Sequence, residues 1–264
     1  MSKRTKRAKS GNKKIKATSK HRKTRSKSVS DFDITRKAHG NKTNAKIIDT
    51  PLSNKKSVGT RATKGKIEFH YQKYANMNNF FDSILLKNLS REYFYIDLIC
   101  IKNKITPIYQ KDIKPSKKQF IMSVINITTN EGNHANVSLI NNHNKTIEYF
   151  EPHGHRKNKQ SGIGNFKGLY LKKQKVLKKI YNELLPGYEF INIVDHNRMT
   201  SFQTQIDPDR HSGFCITWCI LFVHYRCLNP VILLSRLVGH LAKTFTTTKL
   251  LKYAKFIEET IKKK

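Results

Sequence analysis

Positive charge is concentrated in the first quarter of the chain, and this limits where a folded core can form. Residues 1–66 carry 22 lysines and arginines against three acids, a net charge of +19 out of +34 for all 264 residues. The first thirty residues contain no acid and almost no apolar side chain. Such a segment cannot bury enough apolar surface to offset its loss of conformational entropy. We therefore expect a disordered basic arm and linker over residues 1–66 and one folded domain over residues 67–264.

The rest of the composition excludes several classes of protein. No apolar run approaches the roughly 20 residues of a transmembrane helix, and the longest, Cys215–Val223, is followed closely by His224 and Arg226. The basic N-terminus has no apolar core behind it, so we do not expect a secretory signal. The four cysteines are too few for a disulfide framework in a chain of this length. They predict free thiols and a reducing compartment.

The spacing of apolar residues predicts an α+β domain with strands in the middle and helices at both ends. Strands are predicted over residues 92–101, 119–128, 134–140, 145–150 and 188–194. Helices are predicted over residues 71–88, 169–185, 215–228, 230–243 and 247–262. Asn229 and Pro230 have the composition of an N-cap and a first helical residue. The proline- and lysine-containing segment 105–118 is expected to be a loop, as is the polar segment 195–213.

A predicted hairpin brings a histidine and a carboxylate together. Asn141–Asn144 is a turn by composition, and symmetrical pairing of the strands around it places His134 opposite Glu151. Opposed residues on antiparallel strands point to the same face, with Cβ atoms about 4.5–5.5 Å apart. A carboxylate in that position holds an imidazole in one tautomer and stabilises its charged form. The pair is a candidate base and orienting group, and the alternative is an ordinary polar pair at a strand end.

Cys215 follows Gly213 and Phe214 and opens the most apolar helix of the chain. The N-terminus of a helix lowers the pKa of a thiol, and a nearby His134 would lower it further. Gly213 permits a tight turn and close approach of a substrate backbone. The alternative is a small buried hydrophobic residue, which is our interpretation of Cys219 and Cys227.

Residues 134–151 and 203–218 resemble the adenovirus-protease and SUMO-protease superfamily of cysteine peptidases. In that family a His opens one strand, an acid ends the next strand seventeen residues later, and a Gln precedes a Cys at the start of the central helix. The matching positions in this sequence are His134, Glu151, Gln203 and Cys215. The Phe-Glu-Pro context of Glu151, and the Trp three residues after Cys215, are most similar to the versions in large DNA viruses.

The resemblance implies a papain-like cysteine protease fold of the adenain and SUMO-protease type, with a central mixed sheet flanked by helices. It implies a thiol endopeptidase in which Cys215 is the nucleophile, His134 the base and Glu151 the group that orients the base. Gln203 is the implied donor to the oxyanion. The expected chemistry uses no metal and no cofactor.

The sequence departs from the family pattern at three points. Ala135 follows the His, where the family often has Trp. Gln203 lies twelve residues before Cys215 rather than six or seven, so Gln205 remains an alternative oxyanion donor. Residues 1–66 have no counterpart in the family core. Two further side chains, Asn136 and Asp195, are alternative orienting groups that we rank below Glu151.

The resemblance implies a protein substrate, either a viral structural precursor cleaved during virion maturation or a ubiquitin-like conjugate cleaved by an isopeptidase. The basic arm adds nucleic acid as an expected partner, because many lysines with few apolar groups make salt-dependent phosphate contacts without reading bases. No membrane partner is expected. The expected location is the virion, or the host cytoplasm or nucleus, and the sequence does not predict an oligomeric state.

Two other functions compete with a peptidase. The first is a zinc module built from the histidines and cysteines between residues 211 and 227, but one helix would turn His224 and Cys227 away from Cys219, so we do not expect a metal site. The second is a basic virion protein that binds nucleic acid and carries out no chemistry. The arm supports nucleic-acid binding under either interpretation of the domain.

Overall fold

A computed structural model gives the structure of the protein. The described residues are 46–49, 74–84, 86–102, 104–113, 116–130, 132–153, 166–193, 202 and 214–263. Residues 1–45 and 50–66 of the basic arm lie outside them, so the predicted disorder of those residues stays a prediction. The segments 194–201 and 203–213, which contain several predicted site residues, also lie outside the described residues.

The strands of the described residues form one mixed sheet in the order β2-β1-β3-β4-β5-β6. They are β1 (Leu89–Ile101), β2 (Lys104–Tyr109), β3 (Phe120–Thr129), β4 (Gly132–Asn141), β5 (Thr146–Phe150) and β6 (Glu189–Asn192). β1 pairs in parallel with β3, and β5 with β6, while the other neighbours are antiparallel. β3 is central and buried along most of its length, which explains why its sequence is apolar on both faces.

Helices cover both faces of this sheet. They are α1 (Tyr74–Ile84), α2 (Phe166–Leu184), α3 (Cys215–Leu228), α4 (Leu234–Thr244) and α5 (Thr247–Lys262). One buried cluster joins a face of the sheet to α1, α3, α4 and α5, and a second joins the other face to α2. α3 is buried from Cys215 to Cys227, as its uniformly apolar sequence predicts for a central helix. Among the described residues, no helix combines the length and the apolar character needed to cross a membrane.

The predicted α+β class, with a central mixed sheet flanked by helices, is confirmed. The prediction of a loop over residues 105–118 is wrong in its first part, because Lys104–Tyr109 forms β2. Within the described sheet β2 is an edge strand that pairs with β1, where Pro107 lies opposite Leu98. An edge position tolerates a proline because one side of the strand makes no ladder hydrogen bonds.

The expected helix start at Pro230 is also wrong, because α4 begins at Leu234. Asn229 instead follows the last residue of α3, and its backbone N–H is bonded to the carbonyls of Tyr225 and Arg226. Its side-chain amide donates to the Tyr225 carbonyl at 2.9 Å and is therefore committed to the end of α3. A local composition rule for caps cannot detect this, because the partner of the side chain is part of the preceding helix.

Residues 46–49, which belong to the predicted arm, contact the folded domain. The Ile48 N–H donates to Asn229 Oδ1 at 2.6 Å, and Asn229 Nδ2 donates to the Ile48 carbonyl at 2.9 Å. Asp49 Oδ1 lies 2.9 Å from His240 Nε2 and accepts a hydrogen bond from the Tyr225 hydroxyl at 3.3 Å. This part of segment 1–66 therefore packs against α3 and α4.

Candidate active site

The hairpin of β4 and β5 places His134 and Glu151 in contact, with Nε2 and Oε1 2.5 Å apart. The register differs from the predicted one by two residues, because Asn141 pairs with Thr146 across a four-residue loop. Continuing that register places Asn136 opposite Glu151 and makes His134 a diagonal neighbour. The predicted direct pairing is therefore wrong, but a shift of two residues keeps all these side chains on the same face.

The loop explains the register. Asn141 is the last residue of β4, and its Oδ1 accepts the backbone N–H groups of His143 and Asn144 at 3.2 and 3.3 Å. This is an Asx-type turn that begins on the strand residue itself. Lys145 then adopts a positive φ of 54°, which returns the chain to β5. Asn141 thus belongs to the ladder as well as to the turn, so the loop is centred one residue later than composition suggested.

Glu151 is buried, and both of its carboxylate oxygens are bonded. Oε1 contacts His134 and also accepts the backbone N–H of His153 at 3.1 Å. Oε2 accepts Asn136 Nδ2 at 2.6 Å and lies 3.1 Å from Lys173 Nζ. A carboxylate held by this many donors has a fixed orientation and stays ionised. It therefore presents a fixed acceptor to the imidazole of His134.

Cys215 is the first residue of α3, and the helix packs its first turn against β4. β5 pairs with β4 only from Val137 onward, so the backbone of Ala135 lies outside that ladder. The Ala135 and Ile216 backbone N–H groups are bonded to the Cys215 sulfur, and the thiol is also hydrogen-bonded to His134. The three side chains thus form a continuous chain from thiol to carboxylate.

The electrostatics of this chain favour a thiolate beside an imidazolium. Burial alone would lower the pKa of His134, but the Glu151 charge and hydrogen bonds with Cys215 and Glu151 raise it to about 9. Burial would raise the pKa of Cys215, but the hydrogen bond and charge of His134 and two backbone N–H groups lower it. Burial would also raise the pKa of Glu151, and the charges of Lys173 and His134 instead hold it well below its usual range.

The other three cysteines are free, buried thiols without this environment. Cys219 donates to the Ala135 carbonyl at 3.5 Å, and burial, with the charges of Cys215 and Glu151, raises its pKa well above the usual value. Burial also raises the pKa of Cys100 and of Cys227. Of the four cysteines, all of which the structure describes, only Cys215 has a lowered pKa.

His224, one of the ligands that the zinc alternative requires, has another partner in the part of the chain that is described. His224 Nδ1 lies 2.8 Å from the Tyr253 hydroxyl, and burial lowers the pKa of this histidine to about 4. No three His, Cys, Asp or Glu side chains of the described residues are grouped to hold a metal ion. His211, which the alternative also requires, lies outside the described residues.

The remaining predicted site residues divide into two groups. Gln203, its alternative Gln205, and Asp195 lie outside the described residues, so their roles stay predictions. Phe202, directly before Gln203, is described: its N–H donates to the Pro152 carbonyl at 3.0 Å, and its ring packs against Trp218. Asn136, predicted as an alternative orienting group for the histidine, instead bonds the Glu151 carboxylate.

Two residues of the site were not predicted from the sequence. Tyr149 is buried beside the carboxylate, with its hydroxyl 2.5 Å from Asn136 Nδ2 and 3.4 Å from Glu151 Oε2. Lys173 is buried on α2 and forms an ion pair with Glu151. A signal for Lys173 exists, because it is spaced four and seven residues before the buried Leu177 and Ile180 and so shares their face of the helix.

A buried ion pair fixes the C-terminal part of α3 to the sheet. The Arg226 guanidinium makes a bidentate contact with Glu148 of β5, with both N–O distances at 2.8 Å. Its remaining nitrogen donates to the carbonyls of Asn229 and Ile232 at 3.1 and 2.8 Å. Planar bidentate geometry makes this contact directional. It therefore fixes how α3 lies across the strand that leads to Glu151.

Comparison of the chain with protein-family models, with curated proteins and with solved structures finds no match. Any relationship to the cysteine peptidases therefore depends on the motif residues and on the geometry of His134, Glu151 and Cys215.

Proposed function

We propose that the protein is a cysteine peptidase that hydrolyses peptide bonds with Cys215, His134 and Glu151. The observation that carries this proposal is the continuous contact from the Cys215 thiol through the His134 ring to the Glu151 carboxylate. In this arrangement a thiol at a helix N-terminus has a lowered pKa and an adjacent imidazole has a raised one. A nucleophile, a base and an orienting group in this order are the parts that acyl transfer requires.

The chemistry follows from these positions. The Cys215 thiolate attacks the substrate carbonyl carbon, forming a C–S bond and a tetrahedral oxyanion. His134, as imidazolium, gives its proton to the leaving amine as the C–N bond breaks, which leaves a thioester on the enzyme. Neutral His134 then takes a proton from a water that attacks the thioester, and the carboxylic acid product leaves as the C–S bond breaks. The proton on His134 restores the ion pair.

The fold that fits this proposal is the papain-like type of the adenain and SUMO proteases, in which the nucleophile begins a central helix packed on a mixed sheet. Backbone N–H groups at the start of α3 are suited to stabilise the oxyanion. Gln203 is the proposed side-chain donor, because its neighbour Phe202 is hydrogen-bonded to Pro152, one residue from Glu151. Gln205 is the alternative.

The proposed substrate is a viral structural precursor that is cleaved during virion maturation, with a ubiquitin-like conjugate as the alternative. A net charge of +34 supports a nucleic-acid partner, since phosphate contacts would hold the enzyme on packaged DNA or RNA. The proposed location is accordingly the virion or the host cell that assembles it. The same charge favours a second candidate, a basic virion protein that binds nucleic acid without chemistry.

Cleavage of a proteome-derived peptide library, read by mass spectrometry, tests the proposal. The wild-type protein should produce new peptide termini that share a sequence preference, and Cys215→Ala should produce none. Cys219→Ala is the matched control, because Cys219 lies one turn further along the same helix and is a buried hydrogen-bond donor to Ala135. It should cleave like the wild type. Absence of cleavage by the wild type, together with intact nucleic-acid binding, would instead favour the second candidate.

A further inference from the structure

Lys173 interrupts an apolar surface at the point where that surface meets Glu151. The residues that share its face of α2, Leu177 and Ile180, are buried hydrophobics that pack on the sheet. A Met or Leu at position 173 would continue that packing. Lysine is rarely buried unless it is paired, because removing an ammonium group from water is costly. The presence of a buried lysine here therefore requires a partner, and that partner is Glu151 Oε2 at 3.1 Å.

We propose that Lys173 is a positioning residue that holds the Glu151 carboxylate in place and keeps it ionised throughout the reaction. This inference rests on the proposed peptidase function. The two carboxylate oxygens of Glu151 have different partners. Oε1 contacts His134 and accepts the backbone N–H of His153. Oε2 contacts Asn136 and Lys173. With Oε2 fixed from the side of α2, Oε1 stays directed at the imidazole.

The reason for a permanent cation lies in the reaction cycle. His134 is an imidazolium when Cys215 is a thiolate, and it becomes neutral once it has protonated the leaving amine. A buried Glu151 balanced by His134 alone would lose its counter-charge at that step and would favour protonation. The ammonium of Lys173 does not take part in the proton transfer. It therefore keeps Glu151 ionised in both states of His134.

Several titratable groups surround Glu151. Those that act on it directly are His134 on β4, Tyr149 on β5, His153 after β5 and Lys173 on α2. Cys215 and Cys219 belong to α3, and the Glu151 charge contributes to the raised pKa of Cys219. Burial raises the pKa of Cys100 on β1, and the Lys173 charge partly offsets that effect. Of these groups, Lys173 is the cation that the proposed reaction leaves unchanged.

The test compares Lys173→Met with Lys172→Met in the full-length protein. Lys172 is the adjacent residue of α2 and is exposed, so its removal changes the net charge equally without touching Glu151. The primary measurement is the rate of Cys215 alkylation by iodoacetamide as a function of pH, which needs no substrate. Lys173→Met should move the acid limb of this profile upward by about one pH unit, and Lys172→Met should match the wild type. Lys173→Arg, which keeps the charge, should restore the acid limb.

A double-variant comparison separates positioning from packing. In Glu151→Gln the carboxylate that Lys173 contacts is already absent. Adding Lys173→Met to Glu151→Gln should therefore change the cleavage rate of a library-derived peptide by less than about twofold. At a pH below the acid limb of the wild type, the same substitution in the wild type should lower that rate about tenfold, since moving the limb by one pH unit changes the population of the reactive form about tenfold in that range. The double variant has no unpaired charge, so it remains informative where Lys173→Met alone does not fold.

The outcomes distinguish this inference from the proposed function. An alkylation profile of Lys173→Met that coincides with the wild type, when the wild type reacts at low pH, overturns the role of Lys173 and leaves the peptidase proposal intact. A tenfold loss of cleavage rate on adding Lys173→Met to Glu151→Gln overturns the role of Lys173 as well, because the lysine would then contribute through packing and not through the Glu151 carboxylate. A wild-type Cys215 that reacts like an ordinary thiol overturns both proposals.

Discussion

At the scale of single residues, the site depends on a cysteine and a histidine whose ordinary protonation states are exchanged, and on a glutamate that stays ionised. An isolated cysteine at neutral pH is mostly a thiol, and an isolated histidine is mostly neutral. Here the contact between Cys215 and His134, and the contact between His134 and Glu151, favour the charged form of all three. Each group stabilises the next, so the removal of any one changes the other two.

The pKa values predict the pH dependence of cleavage. The reactive form requires a Cys215 thiolate and a protonated His134, so activity should fall as His134 loses its proton. Because the pKa of His134 is raised to about 9, the alkaline limb of kcat/KM should lie near pH 9 and not near the usual 6.5. The acid limb should lie below the ordinary thiol range, because the pKa of Cys215 is lowered. A pH profile with peptide substrate checks both limbs, and an alkaline limb near pH 6.5 would contradict the assignment of His134.

The sequence predicted the residues whose partners are set by a hairpin or a helix start, and missed those whose partners come from distant elements. His134 lies on β4 and Glu151 directly follows β5, so alternation and a turn signal were enough to place both side chains on one face, although the predicted register was wrong by two residues. Lys173 contacts Glu151 from α2, which packs on the face of the sheet opposite α3. No local sequence pattern specifies which strand end that helix covers. The contact of Cys215 with His134 depends likewise on tertiary packing, and it was predicted through family resemblance.

At the scale of elements, the position of α3 controls the site, because Cys215 is its first residue and moves with it. The helix is held near its C-terminus by the Arg226–Glu148 ion pair and by the Asn229 amide. Arg226, Glu148 and Asn229 are buried. The ion pair joins α3 to β5, and Asn229 exchanges hydrogen bonds with the backbone of Ile48. The nucleophile is thus placed by interactions more than two helical turns away.

Breaking the Arg226–Glu148 pair should destabilise the whole domain. Arg226→Met leaves the Glu148 carboxylate buried without a counter-charge, which costs about 3–5 kcal/mol in comparable sites. Combining Arg226→Met with Glu148→Met removes the unpaired charge and should recover part of that loss. Urea unfolding of the single and double variants measures the change. A single variant that loses less than about 1 kcal/mol would show that the pair does not anchor α3.

Residues 46–49 should contribute to stability, in contrast to the residues before them. Deletion of residues 1–45 removes none of the hydrogen bonds to α3 and α4, so the melting temperature should stay close to that of the full-length protein. Deletion of residues 1–49 removes the Ile48 contacts with Asn229 and the Asp49 contacts with His240 and Tyr225. At about 0.5–1.5 kcal/mol for each of these four hydrogen bonds, it should cost roughly 2–6 kcal/mol. Equal melting temperatures for the two truncations would mean that this docking is energetically neutral.

The elements themselves were predictable where their apolar pattern is long. The helices at residues 169–185, 215–228 and 247–262 agree with α2, α3 and α5 to within three residues at each end. β2 was missed because Pro107 argues against a strand, and only the neighbouring strand reveals that it is an edge. The start of α4 was misplaced because Asn229 is used by α3 and Ile48, which local composition does not show.

At the scale of the whole molecule, a large share of the positive charge precedes the helices and strands of the domain in the sequence. Residues 1–45 carry 16 lysines and arginines and two acids, a net charge of +14, and none of these residues is needed for the contacts described above. The folded part retains a substantial positive charge of its own. A polyanion is therefore the partner that we propose for the intact molecule, with residues 1–45 as the proposed principal binding segment.

Deletion of residues 1–45 should weaken nucleic-acid binding without reducing peptidase activity on a short peptide. Fewer phosphate contacts release fewer counterions, so the dependence of the affinity on salt should become shallower. Fluorescence anisotropy with a labelled duplex at several salt concentrations measures both effects, with unrelated duplex sequences as the test of specificity. Unchanged affinity and salt slope in the truncated protein would assign the binding to residues 46–264.

The central claim is that Cys215 is a reactive thiolate because His134 is protonated beside it. Iodoacetamide labelling of the full-length protein at pH 6, followed by peptide mapping, tests this directly, because all four cysteines report in one experiment. We predict that Cys215 is alkylated while Cys100, Cys219 and Cys227 remain unmodified, and that His134→Ala abolishes the labelling of Cys215 at this pH. Equal labelling of Cys215 in the wild type and in His134→Ala, or no labelling of Cys215 at all, would contradict the account.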